Sequence, residues 1–223
     1  MVLYVTPAGG ITERLASLAR KRPGVSVPVL LDRPYRGLTA TIGRFDKVVL
    51  VVGGSGAGFA LPLIESVLQE QKAFAGEETQ RRTQTRIELI LATRRRDVHD
   101  WYTTELSQLA STYLEATEHD HLRANIYITD EGSHDSISPP SSLVGDEVLE
   151  SGNAKKVTQV SKVTVYAGRP HLPNLLSSAI VNRTESVGIV VCGPESMVYD
   201  VRKLAVEAQV KVVKGQRPAE VWL

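Results

Sequence analysis

The sequence has very little cysteine and no long apolar run. Its 223 residues include one cysteine, Cys192, which excludes a disulfide framework within the chain and is typical of a reducing compartment. No window approaches the roughly 18 consecutive apolar residues of a membrane-spanning helix. The first ten residues, MVLYVTPAGG, lack the basic start and cleavage site of a signal peptide. With a formal net charge of +1, the composition indicates neither a nucleic-acid partner nor direct membrane insertion.

From residue 47 onward, strand-like and helix-like segments alternate. The run KVVLVVGG is continuously apolar up to its glycines, as expected of a strand buried on both faces, and a helical pattern follows it. Five such alternations predict an α/β fold, with a Rossmann-like, doubly wound, parallel five-stranded sheet and ligands above the carboxyl ends of its strands. Residues 131–161 are polar and aperiodic, so we expect a mobile insertion there.

A glycine-rich loop follows the first of these strands. Gly53, Gly54, Gly56 and Gly58, with Ser55 among them, join the strand to its helix. Backbone N–H groups at the start of a helix attract phosphate, and glycine removes the Cβ that would keep a ligand away. A tight turn without a ligand is the alternative, because the loop is neither a regular G-x-G-x-x-G nor a P-loop with its Lys-Ser/Thr pair. We predict a phosphate-binding loop.

Three other strand ends carry candidate site residues. Arginines follow the second strand, AGRP follows the fourth and CGP follows the fifth; the residues are Arg94, Arg95 and Arg96, Gly168, Arg169 and Pro170, and Cys192, Gly193 and Pro194. Guanidinium groups suit a phosphate dianion, whereas an NAD site prefers a carboxylate near the ribose. A solvated edge is the alternative for the arginine cluster, since some of its side chains must point outward.

Cys192 is predicted not to be a nucleophile. No histidine or acid pattern accompanies it, and a cysteine at the end of a buried strand is most often a packing residue. The five histidines show no metal-ligand spacing beyond His119-Asp-His121, so no metal site is predicted.

The chain resembles the NADPH-binding domain of fungal ferric reductases. The resemblance rests on three stretches that occur in this order: VVGGSGAGFALP, YAGRP and VVCGPESM. These enzymes are relatives of the NADPH oxidases in the ferredoxin–NADP reductase group, and the likeness covers nearly the whole chain. The resemblance implies that the glycine loop holds the NADPH pyrophosphate and that Cys192-Gly193-Pro194 lies beside the nicotinamide. It also implies that Arg94, Arg95 and Arg169 read the adenosine 2′-phosphate.

The resemblance further implies a modular parent protein. Residues 1–45 look like the end of a flavin-binding domain with a linking strand, and residues 46–223 like the NADPH-binding domain. The implied function is delivery of hydride from NADPH to FAD for transmembrane electron transfer, as part of a ferric or metal-chelate reductase at the cytosolic face of a membrane. The implied partners are its flavin-binding domain and its haem-containing membrane domain. Because the flavin barrel is missing from this sequence, we expect the isolated chain to be inactive.

Two further functions remain as alternatives. One is a non-catalytic, dinucleotide-binding or regulatory module, a truncated relative without redox activity of its own. The other is a flavin-independent dehydrogenase, which ranks last because no Tyr-x-x-x-Lys pattern or comparable proton relay is present.

Two local features are left open by the sequence. Members of the family commonly end in an aromatic residue that stacks on the flavin, and Trp222 either has this catalytic role or docks on the domain core. The family's Gly-Pro-Tyr-Gly loop appears here as DRPYRG, with Arg33 and Arg36 in place of glycines. These arginines either reach toward phosphates or crowd the loop, which leaves Pro34 and Tyr35 undecided as cofactor contacts.

Overall fold

The computed structural model describes residues 5, 7–28, 42–74, 84–94, 96–114, 121–129, 162–180, 184–215 and 220–223. The chain divides into two compact units, Met1–Thr41 and Ile42–Leu223. Several predictions fall outside the described residues: the DRPYRG loop, Arg95 and the insertion 131–161.

In the described part of the first unit, one helix, α1, spans Gly10–Lys21. Its N-cap is Gly9, with φ of 105°, which has no side chain to cap the helix. Thr12 lies inside the first turn, where its hydroxyl accepts a hydrogen bond from the Ala8 N–H at 3.1 Å and donates one to the Gly9 carbonyl at 2.9 Å. The Thr12 side chain therefore links Ala8 and Gly9 to the first turn of the helix by hydrogen bonds.

The second unit is a parallel sheet with helices on both faces, which confirms the predicted fold class. Its described residues form six strands in the order β4-β3-β2-β1-β5-β6. The strands are β1 (Lys47–Gly53), β2 (Arg86–Thr93), β3 (Leu122–Ile128), β4 (Lys162–Ala167), β5 (Ser186–Cys192) and β6 (Glu220–Trp222). The helices are α2 (Ala57–Phe74), α3 (Arg96–Tyr113), α4 (Leu172–Ala179) and α5 (Glu195–Val213).

The predicted count of five strands was too low by one. The five predicted strands are present, and the sixth, β6, pairs in parallel with the start of β5. With three residues, β6 is too short to produce a recognisable alternation in the sequence. Only its pairing with β5 makes it a strand.

Helices α2 and α3 cover one face of the sheet, and α4 and α5 cover the other. Val48, Leu50 and Val52 of β1 lie in the core with α2 and α3, whereas Val49 and Val51 lie in the core with α4 and α5. This two-sided burial explains the uninterrupted apolar run in the sequence. Strands β2, β3 and β4 follow one another on one side of β1, and β5 then lies on the other side of β1. The order of the strands therefore reverses between β1 and β5.

Helix α2 contains a proline. Pro62 is a residue typical of a helix start, but α2 begins at Ala57 and Pro62 lies inside it, on the exposed side. Proline has no N–H, so the Gly58 carbonyl cannot receive the usual hydrogen bond from four residues onward. In the part of the chain that the structure describes, no helix combines the length and apolar character needed to span a bilayer.

Candidate functional site

The candidate site is the crevice at the carboxyl ends of β1 and β5. In an open parallel sheet, ligands bind where the order of the strands reverses, above the carboxyl ends. Here β1 and β5 are direct neighbours, with Val52 opposite Cys192, so the loops that follow them must lie side by side. The structure therefore brings together the glycine loop and the Cys-Gly-Pro loop.

The two loops are in close contact. A Cβ at Gly53 would lie 3.0 Å from Pro194 Cδ and 3.1 Å from Met197 Cε, closer than most side chains approach. A Cβ at Gly56 would lie 2.9 Å from the carbonyl carbon of Cys192 and 3.1 Å from its Sγ. A Cβ at Gly56 would therefore clash with the backbone of β5, independently of any ligand, whereas a Cβ at Gly53 would crowd the side chains of Pro194 and Met197.

Gly54 is different, because it faces open space. It opens the 3₁₀ turn Gly54–Gly56 with φ of 58°, a left-handed conformation that side chains rarely adopt, and a Cβ there would meet nothing within 4 Å. Ser55 lies in the same turn, and Gly58 is the second residue of α2 and partly exposed. The turn leads directly into α2, whose first N–H groups carry partial positive charge. An anion above Gly54 would therefore meet an accessible backbone at the positive end of a helix.

Cys192 ends β5 and is partly buried. Its side chain packs against the core formed with α2 and α3, next to Gly56. Its placement supports the packing role that the sequence suggested. Gly193 and Pro194 follow it and lead into α5, with Pro194 as N-cap. The start of α5 thus lies beside the start of α2 at the crevice.

The predicted phosphate-binding arginines lie along the same edge of the sheet. Arg94 directly follows β2, the neighbour of β1, and Arg96 is the first residue of α3; both are exposed. Arg169 follows β4, is exposed, and comes after Gly168, whose φ is 94°. Because β3 lies between β2 and β4, the backbones of Arg94 and Arg169 are about 10 Å apart across the sheet.

The loop after β4 reaches the same edge but not the crevice itself. Its Gly168 N–H donates to the Ile128 carbonyl at 2.9 Å, which holds the loop against the end of β3. Three strand spacings, about 14 Å, separate β4 from β1. Pro170 is partly exposed, and His171 caps α4 by accepting a hydrogen bond from the Asn174 N–H at 3.3 Å. A ligand touching both Arg169 and the glycine loop must extend along the edge.

Trp222 is not part of this group. Its partner in β5 is Gly188, near the amino end of that strand, and Cys192 lies four residues, about 13 Å, farther along. Its ring is 47% exposed, and the Arg44 guanidinium carbon lies 5.0 Å from the ring centroid. Of the two roles left open by the sequence, this placement favours docking on the domain over stacking on a flavin beside the crevice.

Sequence reasoning missed Met197 as a contact of the site. It is the third residue of α5, and its thioether touches both loops of the crevice. Its position in CGPESM places it on the first turn of the predicted helix, but contact with the glycine loop depends on β5 lying beside β1. No sequence pattern indicates that neighbour relation.

Two stacked tyrosines lie on the neighbouring strands β3 and β4, and one of them is just before the loop that follows β4. Tyr127 of β3 and Tyr166 of β4 are register partners whose rings stack with centroids 4.9 Å apart. Burial, the neighbouring Tyr166 and the charge of Glu88 raise the pKa of Tyr127 to about 12. The phenol is therefore neutral at physiological pH and has a packing role.

Within the described ranges, no three His, Cys, Asp or Glu side chains come together as a metal site.

Comparison with known proteins identifies a family model and two relatives that are similar to this chain. The family model "Ferric reductase NAD binding domain" matches residues 45–206. The chain is 24% identical over 233 residues to "Ferric reductase transmembrane component 4" of Saccharomyces cerevisiae, covering 95% of this chain and 30% of that protein. It is 25% identical over 183 residues to "Probable metalloreductase AIM14" of Debaryomyces hansenii, covering 75% of this chain and 33% of that protein. The chain thus spans about a third of the length of these two relatives.

Proposed function

The chain belongs to the ferric reductase NAD-binding domain family, and we propose that it is the NADPH-binding part of a ferric or metal-chelate reductase. In this proposal, hydride passes from NADPH to FAD, and electrons then cross a membrane. The observation that carries the proposal is the crevice between β1 and β5, where the open face of Gly54 and the starts of α2 and α5 meet. The names of the two relatives support the reductase assignment.

The pyrophosphate of NADPH is assigned to the glycine loop. Gly54 leaves room above the turn, and Gly53, Ser55, Gly56 and Gly58 form the backbone around it. Two helices begin at the crevice, and each contributes the equivalent of roughly half a positive charge at its N-terminus. The residues present therefore fit a doubly charged diphosphate without a lysine.

The 2′-phosphate is assigned to Arg94 and Arg169, with Arg95 beside Arg94 in sequence. An arginine at the start of a helix is electrostatically unfavourable by about 0.3–1 kcal/mol, because the helix N-terminus is itself positive. Arg96 is the first residue of α3 and Arg94 precedes the helix by two residues, so a dianion bound there would offset this repulsion.

The nicotinamide end is assigned to Cys192, Gly193 and Pro194. NADPH, when bound, supplies the hydride; this chain's residues bind and orient the dinucleotide and need no acid or base of their own. Trp222 is left out of the proposed site because it lies beside Gly188, near the amino end of β5 and away from the crevice. The FAD acceptor and the haem groups belong to the proposed partner domains, at the cytosolic face of a membrane.

The proposal is tested by comparing the affinities for NADPH and NADH by calorimetric titration. Charge-assisted contacts of about 1.5–3 kcal/mol each predict at least about tenfold tighter binding of NADPH at moderate salt. Arg169→Ala should weaken NADPH and leave NADH nearly unchanged. The matched control is Arg123→Ala, which removes the same charge from an exposed residue near the amino end of β3 and should change neither affinity.

Equal affinities of the unmodified chain for the two dinucleotides would contradict the arginine assignment, and absence of binding would contradict the proposed function. A module without redox activity would bind NADPH in the same way. An assay of the full-length reductase distinguishes a catalytic domain from such a module. In that protein, Arg169→Ala lowers NADPH-dependent ferric-chelate reduction only if this domain supplies the electrons.

A further inference from the structure

We infer that Met197 is a positioning residue that sets the spacing of the two loops at the crevice. A Cβ at Gly193 would lie 2.8 Å from Met197 Sδ, and a Cβ at Gly53 would lie 3.2 Å from the same sulfur. One thioether thus touches the backbone of both loops, one after β1 and the other after β5.

The contact is a close one between two chain segments, the loop after β1 and residues 193–197. A Cβ at Gly193 would also lie 3.2 Å from the Gly53 nitrogen, so the two glycine backbones face each other directly. Met197 is partly buried and packs against the core formed with α4 and α5. It therefore connects that core to the backbones of both loops. An unbranched, polarisable thioether suits this irregular gap between two glycine backbones.

The inference rests on the proposed function, because it assigns Met197 an effect on one half of NADPH. The pyrophosphate and the nicotinamide are assigned to the two loops that Met197 holds together. The adenosine 2′-phosphate is assigned to residues after β2 and β4, which lie on the other side of β1 from β5. Truncating Met197 should therefore weaken the whole dinucleotide much more than its adenosine half.

The experiment measures the affinities for NADPH and for adenosine 2′-monophosphate, which carries the 2′-phosphate but no pyrophosphate, together with the thermal midpoint, in four forms of the protein: unmodified, Met197→Ala, Met197→Leu and Leu204→Ala. Leu204 is the matched control, because it packs partly buried against the same core. It lies seven residues, about 10 Å, farther along α5. Met197→Leu keeps an apolar side chain of similar volume.

Met197→Ala should weaken NADPH at least about tenfold and adenosine 2′-monophosphate less than about twofold. Met197→Leu should restore NADPH affinity, and Leu204→Ala should lower the thermal midpoint without changing either affinity. If Met197→Ala does not fold, Met197→Val takes its place with the same expected pattern.

Three results overturn the inference. One is unchanged NADPH affinity in the truncated variant while the unmodified chain binds. Another is an equal loss of NADPH affinity in Leu204→Ala, and the third is an equal loss for both ligands in Met197→Ala. Failure of the unmodified chain to bind NADPH would instead overturn the proposed function, and the inference with it.

Discussion

Gly54 and Gly215 form a matched pair for testing the phosphate assignment. Both have left-handed backbones, with φ of 58° and 67°, and a Cβ at either would meet nothing within 4 Å. Gly54 lies at the proposed site, whereas Gly215 follows the end of α5 and donates its N–H to the Val212 carbonyl at 2.9 Å. Substituting alanine at each position imposes the same backbone conformation on a residue with a Cβ.

The expected cost in stability is similar for the two substitutions. Placing an L-residue in the left-handed region costs about 1–2 kcal/mol. Replacing glycine by alanine recovers about 0.4–1 kcal/mol, because the unfolded chain has less freedom to lose. The net loss is about 1 kcal/mol for each variant, a fall of roughly 2–4 °C in the thermal midpoint of a chain of this size.

The expected effects on binding differ. The Cβ of Gly54→Ala occupies the open space above the turn, where the pyrophosphate is proposed to meet the backbone N–H groups. Loss of one charge-assisted hydrogen bond, about 1.5–3 kcal/mol, predicts at least about tenfold weaker NADPH binding. Gly215→Ala should bind NADPH as the unmodified chain does. Calorimetric titration measures both affinities, and differential scanning calorimetry measures both midpoints.

Two results would refute this reasoning. If folded Gly54→Ala bound NADPH with unchanged affinity, the open face of the turn would not be the phosphate site. If Gly215→Ala lost affinity to the same degree, the loss would reflect general stability and would say nothing about the turn.

Three further predictions concern other parts of the chain. Cys192→Ser should leave NADPH affinity within about twofold by titration, because the thiol is assigned a packing role and the nicotinamide is the loosely held end of the ligand; a large loss would contradict the assigned site. Replacing residues 131–161 by a Gly/Ser linker of about 15 residues should leave affinity within about threefold, since β3 and β4 are parallel neighbours whose connection needs about a dozen residues or more. A linker variant that no longer binds would show that this segment contributes to the site. Because the pKa of Tyr127 is raised from 10.0 to about 12, the stability from its neutral form is complete below pH 10 and is lost as the pH rises toward 12. Denaturant unfolding should therefore show a steeper fall in stability over that range for the unmodified chain than for Tyr127→Phe, and equal slopes would contradict the shift.

The fold was largely predictable because its signals are local. A continuous apolar run such as that of β1 is readable without tertiary information, since both faces of a central parallel strand are buried. In α2 the buried residues Ala57, Ala60, Leu61 and Ile64 follow the helical period, which is equally visible in the sequence. The alternation of such segments then leaves few architectures other than a parallel sheet with helices on both faces.

Errors arose where a local signal was weak or was overridden. Pro62 is typical of the start of a helix, but the turn at Gly54–Gly56 and the burial of Ala57 and Ala60 begin α2 earlier. Strand β6 has too few residues for a pattern, and its pairing with β5 places Trp222 away from the crevice. Resemblance gave Trp222 a possible role at the cofactor, but its register with β5 determines where the ring lies.

The sequence by itself determined the set of candidate residues, because glycine loops, arginine clusters and strand ends are local chemical patterns. Only the tertiary structure decided which of them meet. The order of the strands puts β1 beside β5, so the glycine loop and the Cys-Gly-Pro loop share one crevice, whereas Arg169 lies three strands from β1. It also divided the glycines by role, because a Cβ at Gly56 would clash with the Cys192 backbone, whereas Gly54 has room for a ligand. These distinctions depend on contacts between segments about 140 residues apart, and no local pattern encodes such contacts.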